Sequence, residues 1–300
     1  NGAKELILIA QDTTRYGIDL YGEYSLAKLM RRLCKIDGLK WLRVLYCYPD
    51  ALTDELLETM AEEEKIVKYI DLPLQHASAR VLKRMNRTGD RESLTALMKK
   101  IREKIPGVTL RTTLITGFPG ETEEMFAESL AFVARLGFSR MHVFPYSRRT
   151  GTPAARMADQ VPEPVKKERV HRMQALAREK TAAFEQSFLG ETLRVLFETR
   201  ADGVTDGLTD NYIRVYAADD LPSGTLAAVR LDRLYRDGVV VKEGVCRGAD
   251  ADGALIVQQL LTMMTPAVVA HVLPEGAHRA GELPHQPDVA EILQSAQGIG

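Results

Sequence analysis

The sequence predicts an α/β protein, built as a partial (β/α) barrel followed by a small all-β domain of OB type. Three observations carry this. Short β-rich runs alternate with helical patterns from the start to about residue 145. Polar clusters gather at the ends of those runs rather than along the helices, as at Gln75-His76-Ala77-Ser78. Beyond about residue 190 the pattern changes to short alternating strands with Asp-Gly turns.

The strand candidates of the first part are residues 6–10, 41–46, 69–72, 109–116 and 140–144. Leu6-Ile7-Leu8-Ile9-Ala10 is apolar throughout, which suits a strand covered on both faces. Helical spacing fills the gaps at 26–35, 53–63, 91–104 and 123–136, and Thr53-Asp54-Glu55 sets a cap and acidic groups at a positive helix end. The expected division is a barrel over 1–160, a connecting basic helix over 161–188, a β domain over 189–246 and a poorly ordered tail over 247–300, entered through an apolar helix at 254–264. Strands of the β domain are expected at 193–197, 212–216, 227–231 and 239–241.

Forty basic residues balance 41 acidic ones in 300, so net charge gives no pull toward nucleic acid. No run reaches the length of a spanning helix and no secretory signal opens the chain, so a cytoplasmic protein, in all expectation a monomer, is predicted. Cys34, Cys47 and Cys246 are scattered and odd in number, which argues against disulfides and against a local metal pair. They read as reduced thiols, with Cys34 and Cys47 buried on apolar runs.

In α/β barrels the C-terminal strand ends build the active site, which predicts one shared pocket. Gln11 and Asp12 follow the first strand, and Asp12 reads equally as a loop-initiating residue. Gln75 and His76 end the third, and Ser78 suits a helix N-cap. Arg111 and Thr113 share one face of the fourth; a cofactor carboxylate or a neighbouring Asp is the partner an interior Arg needs. Gly117-Phe118-Pro119-Gly120-Glu121-Thr122 reads either as an anion-holding turn or as a tight βα turn needing positive φ. In the β domain, Arg194, Tyr212, Arg214 and Arg230 read as an RNA- or partner-binding set, or as the polar outside of any sandwich. The basic residues of the 165–188 helix read as an anion-binding or a solvated face. No side chain is singled out as catalytic and no metal-ligating set is found.

Taken in order, Ala10-Gln11-Asp12-Thr13-Thr14-Arg15-Tyr16-Gly17, Leu72-Pro73-Leu74-Gln75-His76-Ala77-Ser78, Val81-Leu82-Lys83-Arg84-Met85-Asn86-Arg87, the Gly117 motif and Phe144-Pro145-Tyr146-Ser147 with Gly151-Thr152-Pro153-Ala154-Ala155 resemble the radical-SAM methylthiotransferase family. The resemblance spans residues 1 to about 245. The first two motifs look most like the branch that methylthiolates an aspartate of ribosomal protein S12. His142-Val143-Phe144-Pro145-Tyr146-Ser147-Arg148-Arg149 and Thr209-Asp210-Asn211-Tyr212-Ile213-Arg214-Val215 look more like the branch acting on threonylcarbamoyl-adenosine of tRNA. A natural intermediate and a join near Gly117 both account for this.

The resemblance implies a partial radical-SAM barrel binding S-adenosylmethionine through Gln11, Asp12, Gln75, His76, Ser78, Arg111, Thr113 and Gly117, then a TRAM domain docking on S12 or tRNA. It also implies [4Fe-4S] clusters in the intact protein. The family's Cys-x3-Cys-x2-Cys motif is not in this sequence, and Asn1 is expected to lie shortly after it, which makes the chain a fragment, inactive alone. Two other classes stay open: a non-catalytic RNA- or ribosome-binding module, and a metal-free barrel enzyme using His76 and Asp12 as acid and base.

Overall fold

The computed structural model describes residues 2–242 and 258–261. Its first part alternates as expected: β1 (Glu5–Ile9), α1 (Ile18–Tyr21), α2 (Leu26–Leu33), β2 (Trp41–Val44), α3 (Asp54–Glu62), β3 (Tyr69–Asp71), α4 (Ala79–Arg84), α5 (Arg91–Lys104), β4 (Thr109–Thr116), α6 (Glu123–Arg135) and β5 (Arg140–Pro145). Side chains set the helix starts. Thr53 Oγ1 accepts from the Leu56 N–H at 3.2 Å and Thr122 Oγ1 from Met125 at 3.3 Å, while Asp90 and Ser93 form a reciprocal capping box.

All barrel strands run parallel. β1 pairs with β2 from Glu5↔Trp41 to Leu8↔Val44, and β4 lies between β3 (Tyr69↔Thr109) and β5 (Arg111↔Arg140). Val67 N–H to Leu42 O (3.1 Å) and Cys47 N–H to Asp71 O (2.9 Å) join the two sheets, so one curved sheet carries every strand end on the same side. Period-two alternation then divides the residues. Leu6, Leu8, Leu42, Val44, Ile70, Leu72, Leu110, Leu114, Met141 and Val143 enter the core beneath the helices. Those of opposite parity, among them Ile7, Arg43, Tyr69, Asp71, Arg111, Thr113 and His142, face the concave side.

The long helix α7 (Glu163–Gln186) returns along β5. It leads into β6 (Thr192–Ala201), β7 (Val204–Thr209), β8 (Arg214–Ala217), β9 (Leu226–Tyr235) and β10 (Gly238–Val241), which close into a small barrel in the order β10-β8-β7-β6-β9. Val195, Phe197, Ile213, Val215, Val229, Leu231 and Val239 fill it. Strand β7 is absent from the sequence reading because its buried positions are Thr205, Gly207 and Thr209, which hide the alternation. Gly207 is required there: a Cβ would lie 2.3 Å from the Leu196 carbonyl oxygen of β6.

Two expectations change. The helix expected at 254–264 is a strand over β11 (Gln258–Leu261), parallel to β1 through Leu6↔Gln258. A short apolar run does not distinguish helix from strand by periodicity, and the open edge of β1 supplies unpaired backbone groups. The rest of the expected tail lies outside the described residues, as does Cys246. The basic helix is also not a solvated face throughout, since Lys166 and Arg169 are buried with Met173 and Ala177. Cys34 and Cys47 are buried thiols, as expected.

Candidate cofactor site at the strand ends

The concave wall carries buried polar atoms that the fold does not satisfy. Arg111 Nε and Asp71 Oδ1 face each other at 3.5 Å, a separation at which neither completes a hydrogen bond. The other Asp71 oxygen accepts the Tyr46 N–H at 3.1 Å. Burial raises the Asp71 carboxyl above the usual range, against the pull of the Arg111 charge. Arg111 also reaches His142 Nδ1 at 3.0 Å, and Thr113 sits beside His142 in register. Burial, then Arg111 and Arg140, hold the His142 imidazole down at about 4, so it is neutral at physiological pH.

One level nearer the mouth, Gln75 adopts φ 69°, a left-handed conformation costly for a residue with a side chain. Its backbone is fixed on both sides, its N–H on Thr113 O and its carbonyl receiving Ile115 N–H, each at 2.8 Å. Its side-chain oxygen is buried without a hydrogen bond. His76 Nδ1 accepts the Ser78 N–H at 2.9 Å, which places the ring proton on Nε2, 3.4 Å from Glu121 Oε2. With its basic nitrogen engaged, His76 is not arranged as a general base. Ser78 occupies the N-cap position of α4 but caps with no side-chain bond, contrary to expectation. Gly117 takes φ 73°, and its N–H donates to Glu121 Oε2 at 2.7 Å. The Gly117 turn therefore binds a carboxylate of its own chain.

Gln11 is exposed at the end of β1. Asp12 serves the loop: it accepts from the Thr14 N–H at 3.1 Å and pairs with Arg15 Nε at 2.8 Å, while Arg15 also holds Asp50 at 2.6 Å. The structure thus groups His76 and Gly117 around Glu121, seats Gln75 on β4, and groups Arg111 with Asp71, Thr113 and His142. Asp71, Glu121, His142 and Arg169 were not picked out as site residues. Glu121 stood inside a recognised motif, and the Lys166, Arg169, Met173, Ala177 spacing marks a buried helix face.

The four β-domain candidates are not one surface. Tyr212 stacks on Tyr69 of β3, centroids 4.9 Å apart, and Arg214 is held by Asp206 at 2.5 Å and by Asp237 at 3.4 Å. Arg194 and Arg230 stay exposed on neighbouring strands β6 and β9, Arg230 donating to the Gly190 carbonyl at 3.0 Å.

Residues 1–133 match the family model described as "Radical SAM superfamily". The uS12 methylthiotransferase RimO of Heliobacterium modesticaldum is 50% identical over 197 residues, 66% of this chain and 43% of that protein. RimO of Lachnoclostridium phytofermentans is 46% identical over 239 residues, covering 76% and 54%. Over residues 1–133 the chain is thus similar to the radical SAM superfamily, and over more of its length to uS12 methylthiotransferases. It spans about half the length of the curated relatives it matches. A match of 239 residues runs through both sides of Gly117, so likeness to uS12 enzymes is not confined to the first half. Among solved structures, Elp3 of Methanocaldococcus infernus aligns with a TM-score of 0.45 at 14% identity, over 77% of this chain and 70% of that one.

The superfamily implies S-adenosylmethionine and a [4Fe-4S] cluster. The concave wall fits the first: an unsatisfied amide oxygen at Gln75 suits an amine or hydroxyl, and Arg111 suits a carboxylate. The described residues do not fit the second. Among them no three His, Cys, Asp or Glu side chains are grouped to hold a metal ion, and both thiols are buried and protonated. No described helix is long and apolar enough to cross a membrane.

Proposed function

We propose that this chain is the S-adenosylmethionine-binding barrel and partner-docking domain of a methylthiotransferase acting on an aspartate of ribosomal protein S12. The observation that carries it is a group of buried polar atoms on one concave wall that no hydrogen bond completes: Gln75 Oε1, and Asp71 Oδ1 and Arg111 Nε, which meet each other only at 3.5 Å. Such atoms cost free energy in an empty fold and are explained by a polar ligand. The radical and methyl-transfer chemistry would belong to S-adenosylmethionine and to a cluster that the described residues do not hold. The chain's own part is to bind and orient: Gln75 reads a polar edge, Arg111 offers a positive charge beside Asp71, and neutral His142 stands on β5 next to Arg111.

The closed five-stranded barrel is read in the same proposal as a TRAM-like domain whose outward Arg194 and Arg230 meet the acceptor. The division at 1–160, 161–188, 189–246 and 247–300 belongs to it as well. Chain-level support comes from the uS12 relatives, and the tRNA reading keeps only the motifs around His142 and Asn211.

The deciding experiment expresses the gene with its natural upstream sequence in a strain lacking its own S12 methylthiotransferase. Mass spectrometry of S12 and of digested tRNA is then compared. A methylthio group on the S12 aspartate supports the proposal. One on threonylcarbamoyl-adenosine transfers it to tRNA, and neither product removes it.

A further inference from the structure

Helix α7 lies outside the motifs that mark the strand ends, yet it sends two buried cations beneath them. Arg169, 4% exposed, donates through NH1 to Glu121 Oε1 at 2.9 Å and to the Glu121 carbonyl at 3.0 Å. Its Nε reaches Glu123 at 3.3 Å. Lys166, 2% exposed, packs its stem where a Cβ on Gly117 would go, 2.4 Å from Cγ, and sets its Nζ 5.2 Å above the Tyr146 ring.

Glu121 joins this helix to two strand-end loops at once. One oxygen takes Arg169; the other takes the Gly117 N–H and faces His76 Nε2. His76 in turn fixes Ser78 through Nδ1, and the residue immediately before it is Gln75, held at φ 69°. A carboxylate buried this deeply requires its cation, because unpaired it costs far more than a lost surface pair. The strained backbone at Gln75 persists only where its surroundings over-determine it.

We infer that Arg169 is a positioning residue for the cofactor site, acting through Glu121 to set the Gly117 turn and the place of the His76 loop, and with it the side chain of Gln75. This rests on the reading of the concave wall as an S-adenosylmethionine site. The helix that leads to the small barrel thereby also sets the mouth of the large one, and Arg169 touches no ligand itself.

The test measures binding of S-adenosylhomocysteine to the full chain by calorimetry, a ligand that does not require turnover. Four proteins are compared: wild type, Arg169→Met, Gln75→Ala and the double variant, with Arg169→Lys as the conservative rescue and Lys167→Ala, at an exposed neighbour, as control. Circular dichroism and a melting curve accompany each. Arg169→Met is expected to weaken binding about tenfold, and Arg169→Lys to recover part of that. The decisive reading is coupling: if Arg169 works through Gln75, the double variant binds no more weakly than Gln75→Ala. Losses that multiply in the double variant, or an Arg169→Met protein that binds like wild type, overturn the inference while leaving the cofactor reading intact. A wild-type chain that does not bind the ligand overturns both. Should Arg169→Met fail to fold, the same cycle is read with Arg169→Lys.

Discussion

Arg43 of β2 lies beside the stacked rings of Tyr69 and Tyr212, 5.2 and 4.5 Å from their centroids, and so pins the small barrel to the floor of the large one. Its Nε meets Glu5 at 2.6 Å, with both side chains essentially inaccessible, and its NH groups reach the carbonyls of Asp210 (2.9 Å) and Thr209 (3.3 Å). Trp41, Leu45 and Leu196 form a buried cluster with Tyr69, against which Tyr212 packs. Its Nε and both NH groups thus end on acceptors of β1, of β7 and of the turn that follows β7, which is the geometry a buried charge demands.

Removing one member of that pair should therefore cost more than removing both. Arg43→Met is expected to lower the unfolding free energy by about 3–5 kcal/mol, and Arg43→Met with Glu5→Leu by clearly less. Urea titrations followed by tryptophan fluorescence check this, since Trp41 sits in the same cluster. Equal losses in the two proteins would show that Glu5 does not depend on Arg43.

Two glycines with similar backbone angles should differ in their response to alanine. Gly117 has φ 73° with Lys166 Cγ only 2.4 Å from where a Cβ would stand; Gly38 has φ 78° and open space. Both variants incur the left-handed penalty of about 1 kcal/mol. Gly117→Ala must also displace Lys166 from beneath Tyr146, so it is expected to lose about 1–3 kcal/mol and to bind S-adenosylhomocysteine more weakly. Gly38→Ala should leave binding unchanged.

The sequence showed β1 well because it is apolar on both parities, Leu6 to Ile9, and the other barrel strands through their short β-rich runs between helical patterns, with a cap such as Thr53 as a local signal. It showed the small barrel less well, since β7 buries threonines and a glycine that only the neighbouring strand β6 explains. The site was legible as a set of strand ends, but not in its wiring. Whether Asp12 serves a ligand or its own loop, and whether Gly117 holds a foreign anion or Glu121, depends on distances that spacing does not fix. Lys166 and Arg169 look like solvated charges until the helix is laid against the barrel.

The two described thiols should be inert in the native state. Burial lifts Cys34 to about 11 and Cys47 to about 12, so almost no thiolate is present near neutrality. Iodoacetamide at pH 8 is expected to leave both unmodified in the folded chain and to label both in urea, read peptide by peptide by mass spectrometry. Rapid native labelling of Cys47 would contradict its place beside Thr13 beneath the mouth.

His142 should make the fold sensitive to mild acid. Its imidazole titrates near 4 in the folded protein against 6.5 for an unperturbed histidine, through burial first and the charges of Arg111 and Arg140 next. Between those values the unfolded chain binds the proton and the folded chain does not, so stability falls as pH drops from 6.5 toward 4 and is flat above it. The ring is partly exposed, and solvent screening reduces the effect to roughly 1 kcal/mol. Asp71, facing Arg111 from β3, adds a slope of opposite sign at lower pH: its raised carboxyl takes up a proton in the folded state first, so its contribution to stability grows as pH falls below that raised value. Comparing wild type with His142→Gln cancels Asp71 and every other group common to both. The difference in unfolding free energy, measured by urea titration at pH 7.5, 6 and 5, should shift in favour of His142→Gln as acid is added. A difference that stays constant across the three pH values would mean that His142 takes its proton as readily in the fold as in water, and that Arg111 does not bear on it.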